Sequence, residues 1–164
     1  MRRLPITCSI NWLLYWSTVS KAAPSVSFMS PFSHDQALVF FRKVAGSVAA
    51  GDTVLLAARL GTKIVGTVQL GLDTPPNQSH RADIRKLRVH RSARGYGVGL
   101  MAEVEEEARR QGRWLLVLDT VPDENGHRLY IRAGWTQTGI VPDYALFPDG
   151  RLCDTAIMWK RLAK

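Results

Sequence analysis

The sequence predicts a single α/β domain of 164 residues, in which helices flank a mixed and mostly antiparallel sheet. Three observations predict this fold class. Strand-like runs alternate with segments of helical periodicity, the apolar run "WLLVLD" indicates a strand covered on both faces, and a glycine turn followed by an amphipathic helix joins two strands. A hydrophobic content of 46% with 22% charged residues is typical of a globular protein.

The N-terminal segment "MRRLPITCSINWLLYWSTVSKAAP" has a basic start and an apolar middle, and so resembles a secretory signal. Thr7, Ser9 and Asn11 interrupt its apolar run. We therefore predict that residues 10–19 form a largely buried first helix rather than part of a cleaved signal. No run in the chain approaches the ~20 consecutive apolar residues of a membrane-spanning helix.

The next elements are a helix and a β-hairpin. Ser33 is a typical N-cap, and apolar residues follow it at helical spacing until Gly51. The segment "TVLLAARLGTKIVGTVQLGL" predicts two strands joined through Gly61, and "DTPPNQSHR" predicts a loop.

The strand "ADIRKLRV" changes the phase of its alternation midway. Ala82 and Ile84 set one phase and Leu87 and Val89 the other, which predicts a β-bulge that re-aims side chains and releases a backbone amide. The alternative interpretation is a short edge strand with irregularly placed charges.

The C-terminal half continues with a helix, a strand parallel to the previous one, and a final pair of strands. An apolar stripe predicts the helix, which ends at Gly112, and the run 103–107 is interpreted as a solvated face with Glu105 paired to Arg109. A short helix over residues 127–133 should precede the strands "WTQTGIV" and "TAIMWKRL", which a loop with two prolines separates.

Charge and cysteine content restrict the functional classes. The net charge of +8 suggests an anionic partner, such as nucleic acid, a membrane surface or a phosphorylated small molecule. Cys8 and Cys153 form no CxxC or Cys/His cluster, which predicts unpaired thiols in a reducing, cytoplasmic compartment and no structural metal.

The segment "RGYGVGL" carries three alternating glycines in front of a helix, and this arrangement is typical of an anion site. A Walker loop would end in Gly-Lys-Ser/Thr, and a dinucleotide fingerprint starting at Gly95 would need glycine where Leu100 stands. The stretch before the turn adds positive potential beside one acid, Asp83, through Arg81, Arg85, Lys86, Arg88, Arg91 and Arg94. We therefore predict a phosphate-binding turn rather than a flexible connection.

Two segments resemble the GNAT superfamily of N-acetyltransferases. "KLRVHRSARGYGVGLMAEVEEEA" is similar to that family's coenzyme-A-binding segment, a bulged strand followed by Arg-x-x-Gly-x-Gly and a helix, with Arg94, Gly97 and Gly99 at the matching positions. "LDTVPDENGHRLYIRAGW" is similar to the later segment in which a tyrosine, here Tyr130, precedes a Gly-aromatic pair.

Within the superfamily, "PSVSFMSP", "LDT" and "GIVPDYALFPDGRLCDTAI" look most like the tabtoxin-resistance type of acetyltransferase. The resemblance covers residues 25–162 and is most specific over residues 82–162. It departs from the family in residues 1–24, which are short for a first strand and helix, and at Gly126, where the family's short helix usually has alanine.

The resemblance implies acetyl-CoA as the cofactor and a bulged strand that splays from its parallel neighbour. The pantetheine arm would lie along residues 87–89 as an extra strand, and the released amide would polarise the thioester carbonyl. The pyrophosphate would lie on the amides of the glycine turn. The implied cofactor-binding residues are Leu87, Arg88, Val89, Arg94, Gly95, Tyr96, Gly97, Val98, Gly99 and Leu100.

The resemblance also implies the catalytic groups. Tyr130 matches the family's general acid, and a phenol with a pKa of about 10 suits the protonation of a leaving thiolate. Asp83 and Asp119 match the positions of candidate bases, although Asp119 could instead cap the turn at Thr120 and Asp83 could merely pair with Arg85.

Other polar and aromatic residues are weaker candidates. His80, His90 and His127 could act as bases, but each is explained more simply as a surface residue, and they lack metal-ligand spacing. Tyr144 and Phe147, in the predicted loop "PDYALFPDG", could wall the acceptor site or simply pack the loop.

We therefore predict an enzyme that transfers an acetyl group from acetyl-CoA to a primary amine of a small molecule, with a carboxylate base, direct or water-relayed, and a tyrosine acid. One alternative is a non-catalytic acyl-CoA-binding protein of the same fold. A basic nucleic-acid-binding module ranks lower, because the sequence lacks a recognition motif and an aromatic-studded basic strand. A homodimer remains open, and the sequence does not identify the acceptor.

Overall fold

The computed structural model describes residues 33–93 and 95–163. These residues form a six-stranded sheet in the order β1-β2-β3-β4-β6-β5. The strands are β1 (Thr53–Leu60), β2 (Lys63–Gly71), β3 (Arg81–Val89), β4 (Leu115–Thr120), β5 (Thr136–Leu146) and β6 (Leu152–Arg161), and the helices are α1 (His34–Ala49), α2 (Tyr96–Arg110) and α3 (Asn125–Arg132). The pair β3–β4 is parallel and the other pairs are antiparallel, which confirms the predicted fold class. The helix expected over residues 10–19, Cys8 and Arg94 lie outside the described residues.

Local signals place α1 and the first hairpin as predicted. The Ser33 hydroxyl accepts from the Gln36 amide at 3.2 Å and the Gln36 side chain accepts from the Ser33 amide at 2.8 Å, so the two residues form a capping box. Gly61 turns the chain from β1 to β2 with φ +59°. The hydroxyls of Ser47 and Thr53 meet at 2.7 Å and join the end of α1 to β1.

The crossover from β3 through α2 to β4 surrounds the core. The predicted apolar stripe of α2 is fully buried against the sheet. A Cβ at Gly66 of β2 would lie 2.7 Å from Leu100 Cδ1, so this glycine allows the helix to approach the strand closely. The buried residues of the stripe are Leu100, Met101, Val104 and Ala108.

Three sequence expectations are wrong in detail. The run 103–107 is not a solvated face, because Glu105 and Glu107 are only 8% and 1% exposed. Arg109 pairs with Glu106 at 3.1 Å rather than with Glu105. The short helix α3 begins at Asn125, two residues earlier than expected.

The last hairpin is longer than its turn residues suggested. β5 continues through Pro142 to Leu146, so Tyr144 lies in a strand and not in a loop. Because β5 is at one end of the strand order, its outer backbone groups need no partner strand, and proline is tolerated there. Phe147 remains in the connecting turn, where its amide donates to the Arg151 carbonyl at 2.9 Å.

Candidate active site

The parallel strands β3 and β4 separate soon after they begin to pair. Among the described residues they pair at three positions, where Arg81, Ala82 and Asp83 face Leu115, Leu116 and Val117. Beyond these positions β3 extends to Val89 and β4 to Thr120. We call the gap between residues 84–89 and residues 118–120 the wedge. The implied splay of a bulged strand from its parallel neighbour is therefore present.

A β-bulge lies on the β3 side of the wedge. Thr67 of β2 faces Arg88, whereas Gln69 faces Arg85, so the single residue between them on β2 is opposite two residues of β3, Lys86 and Leu87. Lys86 has φ +54°, a left-handed conformation that costs a non-glycine residue about 1–2 kcal/mol. This bulge confirms the one that the change of phase in the sequence of β3 predicts. The alternative of an edge strand is wrong, because β3 pairs with strands on both sides.

The glycine turn leads from β3 into α2 and is shorter than predicted, because the helix begins at Tyr96 and so includes Gly97 and Gly99 in its first turn. Gly95 is the N-cap residue with φ +104°, and no side chain of residues 33–93 or 95–163 caps the first turn of the helix. A Cβ at Gly97 would lie 2.9 Å from Leu129 Cδ1, so Gly97 allows α2 to pack on α3. Gly99 has no positive φ, and a Cβ there would meet nothing within 4 Å. The described residues therefore explain the first two glycines and leave the third open to a ligand.

Tyr130 of α3 lies beside both arms of the wedge. It is 7% exposed, and its ring packs on Trp135 with 5.9 Å between the centroids. Burial raises the pKa of the Tyr130 phenol to about 12, while Arg88 on β3 opposes the shift and Asp119 on β4 adds to it. The structure thus brings together Tyr130, Asp119 and Arg88, three of the predicted site residues.

Lys86 joins this group, although its sequence position predicted only a contribution to the basic stretch before the turn. Burial lowers the pKa of the Lys86 ammonium, the neighbouring Arg88 lowers it further and Asp119 opposes the shift. The only signal for Lys86 in the sequence is its position at the phase slip, since a bulged residue is re-aimed relative to its neighbours.

Asp83 lies in the paired part of β3, before the wedge opens. Its two carboxylate oxygens accept from Arg81 at 2.8 Å and from Arg85 at 3.0 Å. Arg85 also pairs with Asp73 at 3.1 Å. Asp119 is instead exposed near the end of β4. The pairing of Asp83 with Arg85, which the sequence left as an alternative role, is therefore present.

The three histidines of this region have structural contacts. His80 stacks on Trp114 with 4.6 Å between the ring centroids. His90 Nδ1 accepts from the Ser92 amide at 3.2 Å. His127 Nδ1 accepts from the Asp123 amide at 3.2 Å, so Nε2 carries the proton and donates to Gln137 at 2.8 Å.

The predicted acceptor-site residues lie on the last hairpin. Tyr144 is on β5, which β6 separates from β4, and its side chain is 58% exposed. Phe147 is partly buried beneath the Arg151 guanidinium, 5.0 Å from its ring centroid. The other predicted cofactor residues, Leu87, Val89, Tyr96, Val98 and Leu100, lie on the β3 arm or the first turns of α2.

Within residues 33–93 and 95–163, no group of three or more His, Cys, Asp or Glu side chains is arranged to hold a metal ion. No helix in the same ranges is both long and apolar enough to cross a membrane.

Comparison with known proteins gives one family and many similar structures. The model of the acetyltransferase (GNAT) family matches residues 20–135. A ribosomal-protein-alanine N-acetyltransferase from Brucella melitensis superposes with a TM-score of 0.79 at 19% identity, covering 98% of each chain. A protein from Salmonella typhimurium, solved with its cofactor acetyl-CoA, has a TM-score of 0.79 at 17% identity, covering 99% of this chain and 93% of that one.

An N-acetyltransferase from Staphylococcus aureus Mu50 is similar to the same degree. Its TM-score is 0.79 at 17% identity, covering 99% of this chain and 97% of that one. At such low identities these structural likenesses show the shared fold alone.

Proposed function

Since the chain belongs to the acetyltransferase (GNAT) family, we propose that it transfers an acetyl group from acetyl-CoA to a primary amine of a small molecule. The observation that carries this proposal is the wedge, which has the glycine turn on one arm and a buried phenol beside both arms. The wedge thus combines a place for an anionic cofactor with groups able to accept or donate protons.

The residues of the β3 arm and the turn fit acetyl-CoA. The Val98 amide donates to the Gly95 carbonyl at 3.2 Å, whereas the earlier amides of a first helical turn have no intrahelical acceptor, and the positive end of the α2 dipole favours a pyrophosphate there. The open space at Gly99 would admit the cofactor's phosphates, and Arg94 would add a cation. The backbone of Leu87, Arg88 and Val89 would hold the pantetheine arm. When bound, acetyl-CoA supplies the activated acetyl group.

The protein's own groups would handle the protons. We assign the base to Asp119, because it lies exposed at the wedge, whereas both oxygens of Asp83 already accept from arginines. Asp119 would take a proton from the acceptor ammonium, directly or through a water. Tyr130, whose pKa is about 12, stays protonated at neutral pH and would give its proton to the leaving thiolate, although the raised pKa makes it a weaker acid than an exposed tyrosine. The Tyr130 phenolate would then regain a proton from the amine nitrogen that has bonded to the acetyl carbon. Arg88, which lowers that pKa, would favour the transfer.

Calorimetry with acetyl-CoA and with duplex DNA tests the class of ligand. We expect binding of acetyl-CoA. DNA binding without acetyl-CoA binding would refute the proposal and favour the basic nucleic-acid module. A panel of primary amines, scored by release of free coenzyme A, then tests catalysis. Acetyl-CoA binding with no turnover on any amine would support the non-catalytic alternative.

Substitutions at Tyr130 and at the two candidate bases test the assigned roles. Tyr130→Phe should keep acetyl-CoA affinity and lose roughly 10²- to 10⁴-fold in turnover. Asp119→Asn should lose turnover more severely than Asp83→Asn, and the reverse order would move the base to Asp83. The tabtoxin-resistance subtype and the acceptor-site roles of Tyr144 and Phe147 remain predictions that the amine panel, repeated on Tyr144→Ala and Phe147→Ala, would test.

A further inference from the structure

A largely buried ion pair joins α2 to β6. Glu105 of α2 accepts from Lys160 Nζ with both carboxylate oxygens, at 2.9 and 2.8 Å. The same carboxylate accepts from Trp135 Nε1 at 3.2 Å. Glu105 is 8% exposed, so its charge has little water to solvate it and depends on these donors.

Lys160 also holds the end of α3. Its Nζ donates to the Ala133 carbonyl at 2.7 Å, where the negative end of the helix dipole favours a cation. The turn at this end is a Schellman motif. The Trp135 amide donates to the Tyr130 carbonyl at 3.0 Å, and the Gly134 amide donates to the Ile131 carbonyl at 3.0 Å.

These contacts converge on Tyr130. Its carbonyl accepts from Trp135, its ring packs on the Trp135 indole, and that indole donates to Glu105. We propose that Glu105 and Lys160 are positioning residues, which fix the last turn of α3 and the Trp135 ring so that the Tyr130 phenol is held in place at the wedge. This inference rests on the proposed function, because it assumes that Tyr130 takes part in acetyl transfer.

The alternative is that the pair serves stability alone, and a double substitution separates the two roles. Removing one partner of a buried ion pair leaves the other charge uncompensated, whereas replacing both with apolar side chains of similar size is often neutral or stabilising. The double variant Glu105→Leu/Lys160→Met should therefore fold without an uncompensated buried charge, although it loses some stability because the Trp135 Nε1–H and the Ala133 carbonyl no longer have these partners. Glu106→Gln, at an exposed site on the same helix, is the matched control.

The experiment measures urea unfolding, acetyl-CoA affinity and turnover per equivalent of acetyl-CoA bound, so that unfolded protein is not counted. We expect the double variant to keep affinity and lose turnover roughly 10- to 100-fold, as displacement of a catalytic group does. Glu105→Gln, scored in the same way, should also lose turnover, and it keeps the test available if the double variant does not fold. In a Tyr130→Phe background neither set of substitutions should reduce turnover further.

A measurement without cofactor tests the same inference independently. The phenolate absorbance of Tyr130, taken as the difference from Tyr130→Phe, should titrate in the double variant at a pH below about 12. Wild-type turnover and an unchanged titration in the double variant would overturn the inference, even if Tyr130→Phe alone abolishes turnover. Wild-type turnover in Tyr130→Phe would instead refute the acid role in the proposed function.

Discussion

The burial of Tyr130 predicts a loss of stability at alkaline pH that Tyr130→Phe should abolish. Burial raises the pKa of the phenol to about 12 in the folded protein, against about 10 for a tyrosine in an unfolded chain. Phenylalanine preserves the ring that packs on Trp135 and removes the titrating group. The difference between the two proteins therefore isolates the phenol from every other group that titrates above pH 9.

The sign follows from the protons bound in each state. A raised folded pKa means that the phenol's contribution to the free energy of unfolding is fully present below pH 10 and is lost as the pH rises towards 12. At pH 11 the unfolded chain has released roughly nine-tenths of this proton and the folded chain roughly one-tenth, which costs about 1.4 kcal/mol. The full loss beyond pH 12 would be about 2.7 kcal/mol.

Urea unfolding at pH 8, 10 and 11, followed by tryptophan fluorescence, measures this effect. The free energy of unfolding of the wild type, minus that of Tyr130→Phe, should fall by about 1.4 kcal/mol between pH 8 and 11. Most of the fall should come between pH 10 and 11. Parallel pH profiles for the two proteins would show that the phenol titrates as an exposed group and would refute its burial at the wedge.

Three further predictions concern the turn and the bulge. Gly99→Glu should bind acetyl-CoA about 3- to 100-fold more weakly at low salt than the neutral control Gly99→Gln, because the new carboxylate would lie ~6 Å from the negative charge of the pyrophosphate. Equal affinities of the two variants would place the pyrophosphate elsewhere. Gly97→Ala should lower the free energy of unfolding by about 1 kcal/mol, because the new methyl group overpacks against Leu129. In a Leu129→Ala background the same substitution should raise the free energy of unfolding by up to about 1 kcal/mol, because only the higher helix propensity of alanine then acts. A change of the same sign in both backgrounds, measured by urea unfolding, would contradict the close contact. Lys86→Val should be less stable than Lys86→Gly by at least about 1–2 kcal/mol in the same assay, because only glycine adopts φ +54° freely, and equal stabilities would contradict the left-handed bulge.

Most of the fold could be predicted because its signals are local. The Ser33 cap, the turns at Gly61 and Gly95, and the phase slip in β3 each restrict the backbone through contacts only a few residues apart. The parallel crossover follows from the succession of strand, glycine turn, helix and strand, whereas the position of β6 between β4 and β5 was not predicted. The end of β5 was mispredicted, because Pro142 usually ends a strand and only its place at the sheet's edge allows the strand to continue.

The candidate site was predicted in part. The glycine turn, Tyr130 and Asp119 were identified as candidates from short motifs, and the structure brings the last two together. Lys86 was missed as a member of the wedge, because a lysine in a charged strand has no distinctive pattern. The sequence could not decide whether Asp83 or Asp119 is better placed to accept a proton, because the answer depends on which arginines contact Asp83. Two arginines do so in the structure, which favours Asp119.

The sequence by itself determined where the backbone bends, bulges and begins a helix, since glycine, capping residues and apolar spacing act over a few residues. Only the tertiary structure decided which charges are buried. Glu105 lies in a run of acids that resembles a solvated face, and its partner Lys160 is 55 residues away on β6. A carboxylate can leave water only where donors from other elements replace its hydration, and no local pattern records where those donors will be.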